Sequence, residues 1–137
     1  MTAPFSSLSE YERFIYSLQD SRPEVVSSTL RLFSTSALTG MLEGEITLRN
    51  GLVVRVLEVL DFKSQLIRNY SYAVYRGDVK IRWYDPQPHP EKPELVSTFP
   101  HHYHEEPEIK HNRIPAKGIS FLAPNLPAVI EDVLALN

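Results

Sequence analysis

No cysteine occurs in the 137 residues, which excludes disulfide staples, thiolate nucleophiles and Cys-ligated zinc together. No apolar run approaches the ~20 residues that a membrane-spanning helix needs. Met1 to Tyr11 has neither the basic start nor the apolar stretch of a secretory signal, so a cytoplasmic protein is expected. Positive charge is short as well: 14 Lys and Arg against 17 Asp and Glu leave a net −3. That argues against a protein that coats nucleic acid non-specifically, although not against an enzyme that touches RNA through a few local cations. The sequence also lacks a nucleophile elbow, a P-loop, a dinucleotide fingerprint and a His-Glu-x-x-His pattern, and those enzyme classes drop out.

What remains suits one α+β domain over residues 1–137, long enough for a real core without cross-links. Ser9-Glu10-Tyr11-Glu12 has the capping-box pattern, and Tyr11, Phe14, Ile15 and Leu18 recur at helical spacing. A short helix over about 9–19 follows, ended by Arg22-Pro23. Residues 25–36, with six Ser or Thr and Leu30 and Leu32 in alternation, read as a strand. From Thr39 the strand signal strengthens. Leu42 to Leu48 and Leu52 to Leu60 flank Asn50-Gly51, and Leu66 to Tyr75 and Val79 to Tyr84 flank Arg76-Gly77-Asp78. Both dipeptide and tripeptide are hairpin signals. The expected fold is a four- to five-stranded antiparallel meander between a short N-terminal helix and a C-terminal one. In the latter, Asn125 caps, Pro127 occupies the first turn, and Leu126, Val129, Ile130, Val133 and Leu134 form an apolar stripe.

A two-residue turn at Asn50-Gly51 pairs Arg49 with Leu52, and counting outward sets Glu43 opposite Glu58. Leu42, Ile46, Leu48, Val53, Leu57 and Val59 then share the core face, with Glu43, Glu45 and Glu58 on the other. Two carboxylates opposed across strands need a cation between them, a raised pKa on one, or exposure to water.

The most unusual stretch is Arg82 to Arg113. It holds all five histidines (His89, His101, His102, His104, His111), and seven of the eleven prolines lie between Pro86 and Pro115. Proline at that density predicts a long irregular loop through which no helix or central strand runs. Trp83, Tyr84, Phe99 and Tyr103 offer apolar surface to pin it onto the sheet. Three readings stay open for His101-His102-Tyr103-His104. In extended chain His102 and His104 point to one side, so His101, His102 and His104 could hold a divalent metal such as zinc or nickel with Glu105, Glu106 or Glu108. They could serve as general acid and base without any cofactor. Or they could be solvated loop residues. His89, between two prolines, reads as a plain loop residue.

Asn50-Gly51, the Glu58 strand, Tyr70-Ser71-Tyr72, Arg82-Trp83-Tyr84-Asp85 with Pro88-His89, and Phe99-Pro100-His101-His102-Tyr103-His104 together resemble the TumE family over roughly residues 39–115. The chain departs from the family pattern where Trp83 is interposed, where Pro86 replaces an Asn, where Tyr103 replaces a basic residue, and in the insert Glu91 to Ser97. The resemblance implies a toxin of a prokaryotic toxin–antitoxin pair. It also implies a TumA-like antitoxin with a DNA-binding domain as partner.

Combined with the histidine cluster, that suggests a small metal-independent endoribonuclease. Cleavage by the 2′-hydroxyl needs a base, an acid and a cation for the phosphorane charge. His102 and His104 are the candidates for base and acid, with His101 beside them and Glu58 as an alternative base or as orienter of a histidine. Arg82 would stabilise the phosphoryl charge. Tyr72 would position the phosphate or stack a base, Asp85 would orient a histidine, and Arg113 joins the substrate-binding candidates. His102→Ala or Arg82→Ala should then cost activity rather than stability. The alternative is a non-catalytic His-rich module that binds metal or a partner.

Overall fold

The computed structural model describes residues 3–136. In chain order it has a helix α1 (Leu8–Ser21), strands β1 (Val25–Ser28), β2 (Arg31–Ser36), β3 (Thr39–Leu48), β4 (Val53–Asp61), β5 (Leu66–Arg76), β6 (Val79–Asp85), β7 (His102–Glu105) and β8 (Arg113–Pro115), and a helix α2 (Leu126–Leu134). Short 3-10 helices occupy Pro4–Ser6 and Pro93–Thr98. The class is α+β as expected, but the antiparallel sheet has eight strands among the described residues, not four or five. Its order is β1-β3-β4-β5-β6-β7-β8, with β2 also pairing β3.

The α1 cap lies two residues ahead of the expected one. Ser7 accepts from the Glu10 amide at 3.1 Å, and Tyr11, Ile15 and Leu18 turn one stripe inward. Residues 25–36 form two strands where one was expected. Both pair with β3, β2 along Thr39–Glu43 and β1 along Ile46–Leu48. The break at Thr29-Leu30 lies against Gly44, whose φ of 141° and lack of a side chain admit it: a Cβ there would sit 2.5 Å from the Thr29 carbonyl oxygen.

The β3–β4 register also differs from expectation. The turn contains three residues, Arg49, Asn50 and Gly51, because the Leu48 amide donates to the Leu52 carbonyl and the Gly51 amide to Leu48. Gly51 (φ 87°) takes the left-handed place of such a three-residue loop. Every pair in the ladder therefore slips by one: Thr47 meets Val53, Glu45 meets Arg55, Glu43 meets Leu57 and Leu42 meets Glu58. A one-residue slip exchanges the faces of a strand. Val54, Val56 and Leu60 are buried in place of Val53, Leu57 and Val59. No carboxylate pair arises. Glu43 binds Arg31 at 3.2 Å and Glu45 binds Arg55 at 3.1 Å, while Glu58 goes inward, completely buried.

α1 and α2 cover the same face of the sheet, joined at their rims by an Arg22–Glu131 ion pair. The hairpin tip is fixed there too, since Asn50 Nδ2 donates to the Val133 and Leu136 carbonyls at the end of α2. The Arg82–Arg113 segment is not an uninterrupted loop. Between Pro100 and Pro107 there is no proline, and residues 102–105 form a strand paired on both sides, with β6 and with β8. Alternation along β6 and β7 then sorts the residues of interest. Tyr84, Arg82, Tyr103, Glu105 and His101 face the helices, whereas Trp83, Asp85, His102 and His104 face the opposite, helix-free side.

Candidate functional site

Two polar clusters stand back to back across the sheet. On the helix side, Glu58 is fully enclosed and accepts from the Tyr11 and Tyr72 hydroxyls, each at 2.5 Å. Burial pushes the Glu58 carboxyl up, and the two phenol donors pull partly against it. Burial, followed by the charge of Glu58, pushes Tyr11 and Tyr72 well above the ordinary phenol range. Asn125, also fully buried, makes no cap bond. Its Nδ2 donates instead to the Tyr72 hydroxyl at 3.2 Å, and its Oδ1 accepts from the Ser120 amide. Further along the same face, the Tyr70 hydroxyl meets His101 Nδ1 at 2.6 Å, and burial lowers the His101 pKa. Arg82 pairs with Glu105 at 3.1 Å, lies 4.2 Å over the Tyr103 ring and donates to the Tyr84 hydroxyl.

On the helix-free side, β6 and β7 bring three groups to one point. Asp85 and His102 are cross-strand partners, as are Trp83 and His104. His104 Nε2 lies 2.9 Å from Asp85 Oδ2, His102 Nε2 lies 3.2 Å from Asp85 Oδ1, and the two Nε2 atoms are 3.2 Å apart. All three residues are buried. His102 Nδ1 donates to the Pro100 carbonyl at 3.1 Å, which assigns its proton and leaves Nε2 a lone pair. Burial lowers the His102 pKa, partly opposed by the Pro100 bond and the Asp85 charge. Burial works against ionisation of Asp85, yet the His104 bond, the Gln87 amide and the nearby imidazoles hold its pKa below the usual value.

The surroundings clamp these groups. Trp83 stacks on His104 with centroids 4.9 Å apart and fixes its own indole N–H on Ser71, while the His89 ring stands edge-on to His102 at 5.2 Å. The proline-rich connection thus closes over the cluster. Arg113, the cross-strand partner of His104 on the other flank, has a buried Nε without a hydrogen-bond acceptor among the described residues. Lys80 places its ammonium 4.9 Å from the Trp83 ring centroid. Asp85, Trp83, Ser71, Tyr70, Arg68 and Phe121 border an open cleft of about 480 Å³.

A family model described as Toxin TumE matches residues 13–137. The chain belongs to the TumE toxin family. Membership makes it a toxin component of a toxin–antitoxin system and implies an antitoxin partner. No curated protein and no solved structure matches it significantly. Among the described residues of this TumE-family chain, no helix is long and apolar enough to cross a membrane.

Of the candidates drawn from its sequence, the structure assembles His102, His104 and Asp85, with Arg113 alongside. Glu58, Tyr72 and Arg82 lie across the sheet and, among the described residues, make no hydrogen bond or ion pair with His102 or His104; the His101 side chain, next to His102 in the chain, meets Tyr70 there. His111 is exposed, and Glu106 and Glu108 lie outside both clusters. Three participants escaped sequence reasoning. Tyr11 reads as an ordinary apolar helix position, Asn125 as a cap, and Lys80 carries no signal without the β6 geometry.

Proposed function

We propose that this toxin arrests growth by cutting RNA, and that the Asp85–His102–His104 cluster is where the phosphodiester is attacked. The supporting observation is the convergence of two imidazole nitrogens and a carboxylate within 2.9–3.2 Å of one another, with Asp85 at the wall of a cleft that Trp83, Phe121 and Arg68 also border. This side of the sheet suits an unpaired strand: Trp83 offers its ring to a base at the cleft, and Arg113 and Lys80, outside the cleft, can meet phosphate oxygens.

The spacing also constrains the chemistry. In-line displacement puts the attacking and leaving oxygens on opposite sides of phosphorus. A base and an acid that reach them at about 2.6–3.2 Å must therefore stand well apart. Two nitrogens separated by 3.2 Å do not. His102 and His104 act as one unit with Asp85 on a single oxygen, the attacker, whose proton they take; the 5′-oxygen that leaves takes a proton from solvent water, and Arg113 offsets the charge that develops on phosphorus.

The near-complete burial of His102 and His104, 1% and 4% exposed, favours a second reading in which the cluster only braces a binding module. Incubating the purified chain with end-labelled RNA separates the two. Cleavage should appear with the wild type and fall by about 10²-fold or more in Asp85→Asn. RNA left intact by a wild-type chain that still arrests growth would remove the ribonuclease reading. The partner in this scheme is a TumA-like antitoxin with a DNA-binding domain, and its co-expression should restore growth.

A further inference from the structure

We propose that Asp85, His102 and His104 hold one divalent transition-metal ion of the zinc class, with a fourth coordination position left for solvent. The first ground is a proton count. The Pro100 carbonyl takes the Nδ1 proton of His102, so its Nε2 lone pair faces Asp85 Oδ1 at 3.2 Å with no hydrogen between them. His104 Nε2 lies 2.9 Å from Asp85 Oδ2, and its Nδ1 is buried with no partner among the described residues. A carboxylate oxygen and a bare imidazole nitrogen at contact distance repel. A cation between them removes the repulsion.

The second ground is size. A tetrahedral ion with bonds of about 2.0–2.1 Å sets its ligand atoms about 3.3 Å apart. The three separations here are 2.9, 3.2 and 3.2 Å. The third is orientation. A ligating histidine normally donates its far N–H to a carbonyl or carboxylate, as His102 does to Pro100, and a ligating carboxylate is itself held, as Asp85 is by the Gln87 amide at 2.9 Å. Two imidazoles and one carboxylate suit zinc, nickel or cobalt over calcium or magnesium. His101 has no part in it, being bonded to Tyr70 on the far face. Ion binding needs none of the ribonuclease reading. Only its catalytic consequence, activation of the attacking oxygen, rests on it.

The test is titration of the chelator-stripped, full-length chain with Zn²⁺ alone, read by calorimetry, and with Co²⁺, read by its visible absorption. One Zn²⁺ per chain and the intense visible bands of four-coordinate Co²⁺ are expected. His104→Ala and Asp85→Asn should weaken binding by more than the roughly 10–100-fold that loss of an outer-shell partner costs. His102→Cys, which supplies another zinc ligand, should restore much of what His102→Ala loses. His111→Ala should change nothing. No stoichiometric Zn²⁺ binding, octahedral Co²⁺ spectra, or binding unaffected by His104→Ala would each overturn the proposal. The Co²⁺ spectrum is read on the wild type, so the outcome stands even where a variant fails to fold. Tight Zn²⁺ binding without RNA cleavage would remove the ribonuclease reading and leave the metal site in place.

Discussion

A carboxyl group at zero exposure is the residue in this chain least expected from its neighbours in sequence. Glu58 sits in a run of valine and leucine, and what makes it tolerable is two phenols from different elements, one on α1 and one on β5. Its folded pKa is raised by burial. The bound proton therefore contributes stability that is complete below the unfolded carboxyl pKa and fades as pH rises through the higher, folded value. Glu58→Gln keeps the shape and discards the charge. Thermal unfolding of the variant should match wild type near about pH 4 and exceed it near about pH 8. Glu58→Ala instead strands two buried hydroxyls and opens a cavity, and denaturant titration should show a loss of about 3 kcal/mol or more. Arg82 belongs in the same category. Its guanidinium is committed to Glu105, Tyr103 and Tyr84 under the helices. Arg82→Ala should lower stability by about 1–3 kcal/mol, measured by chemical denaturation, while the folded fraction keeps its RNA cleavage rate. A lowered rate at unchanged stability would return Arg82 to the reacting groups.

At the level of strands and turns, sequence reasoning succeeded where a period was enough. Alternation alone put His102 and His104 on one side, and Asn50-Gly51 and Arg76-Gly77-Asp78 marked the two hairpins. It failed where the answer depended on a count. Whether the first hairpin closes with two residues or three is decided by which amide reaches Leu48 and Leu52, and no residue type announces it. That one residue moved Glu58 from an imagined charged face into the core. In the same way, the meeting of Asp85 with His102 follows from the β6–β7 register, set by pairing across 16 intervening residues. Proline density misled because its spacing matters more than its number: the gap between Pro100 and Pro107 is wide enough for a four-residue strand. Gly44 is the glycine on which the β1–β2 break depends. Gly44→Ala would press a methyl against the Thr29 carbonyl and the Leu30 Cα at a backbone angle that L residues avoid. A loss of about 2 kcal/mol or more is expected by thermal denaturation. Gly51→Ala, whose added Cβ meets nothing within 4 Å, strains the backbone alone and should cost less.

Taken whole, the molecule is a sheet with one side sealed by helices and another on which we propose the chemistry takes place. The helices seal the first, and polar groups there are spent on one another. The second is covered by the proline-rich connection, and there Lys80 and Arg113 make no ion pair among the described residues, whereas Arg68 is held by Asp61 and Arg55 by Glu45. Net charge is −3, so under the proposed function the long-range field does not draw RNA in, and attraction rests on those two side chains. Each phosphate neutralised on a single strand contributes about −0.7 to the slope of log K against log salt. Two contacts give a slope of about −1.4, or a ~7-fold loss of affinity between 50 and 200 mM salt. Fluorescence anisotropy with a labelled single strand, on an Asp85→Asn chain that binds without cutting, measures it directly. Lys80→Ala and Arg113→Ala should each reduce the slope by about one half. A slope several times steeper would mean that RNA lies across a basic surface elsewhere, and the helix-free face would lose its claim to the substrate.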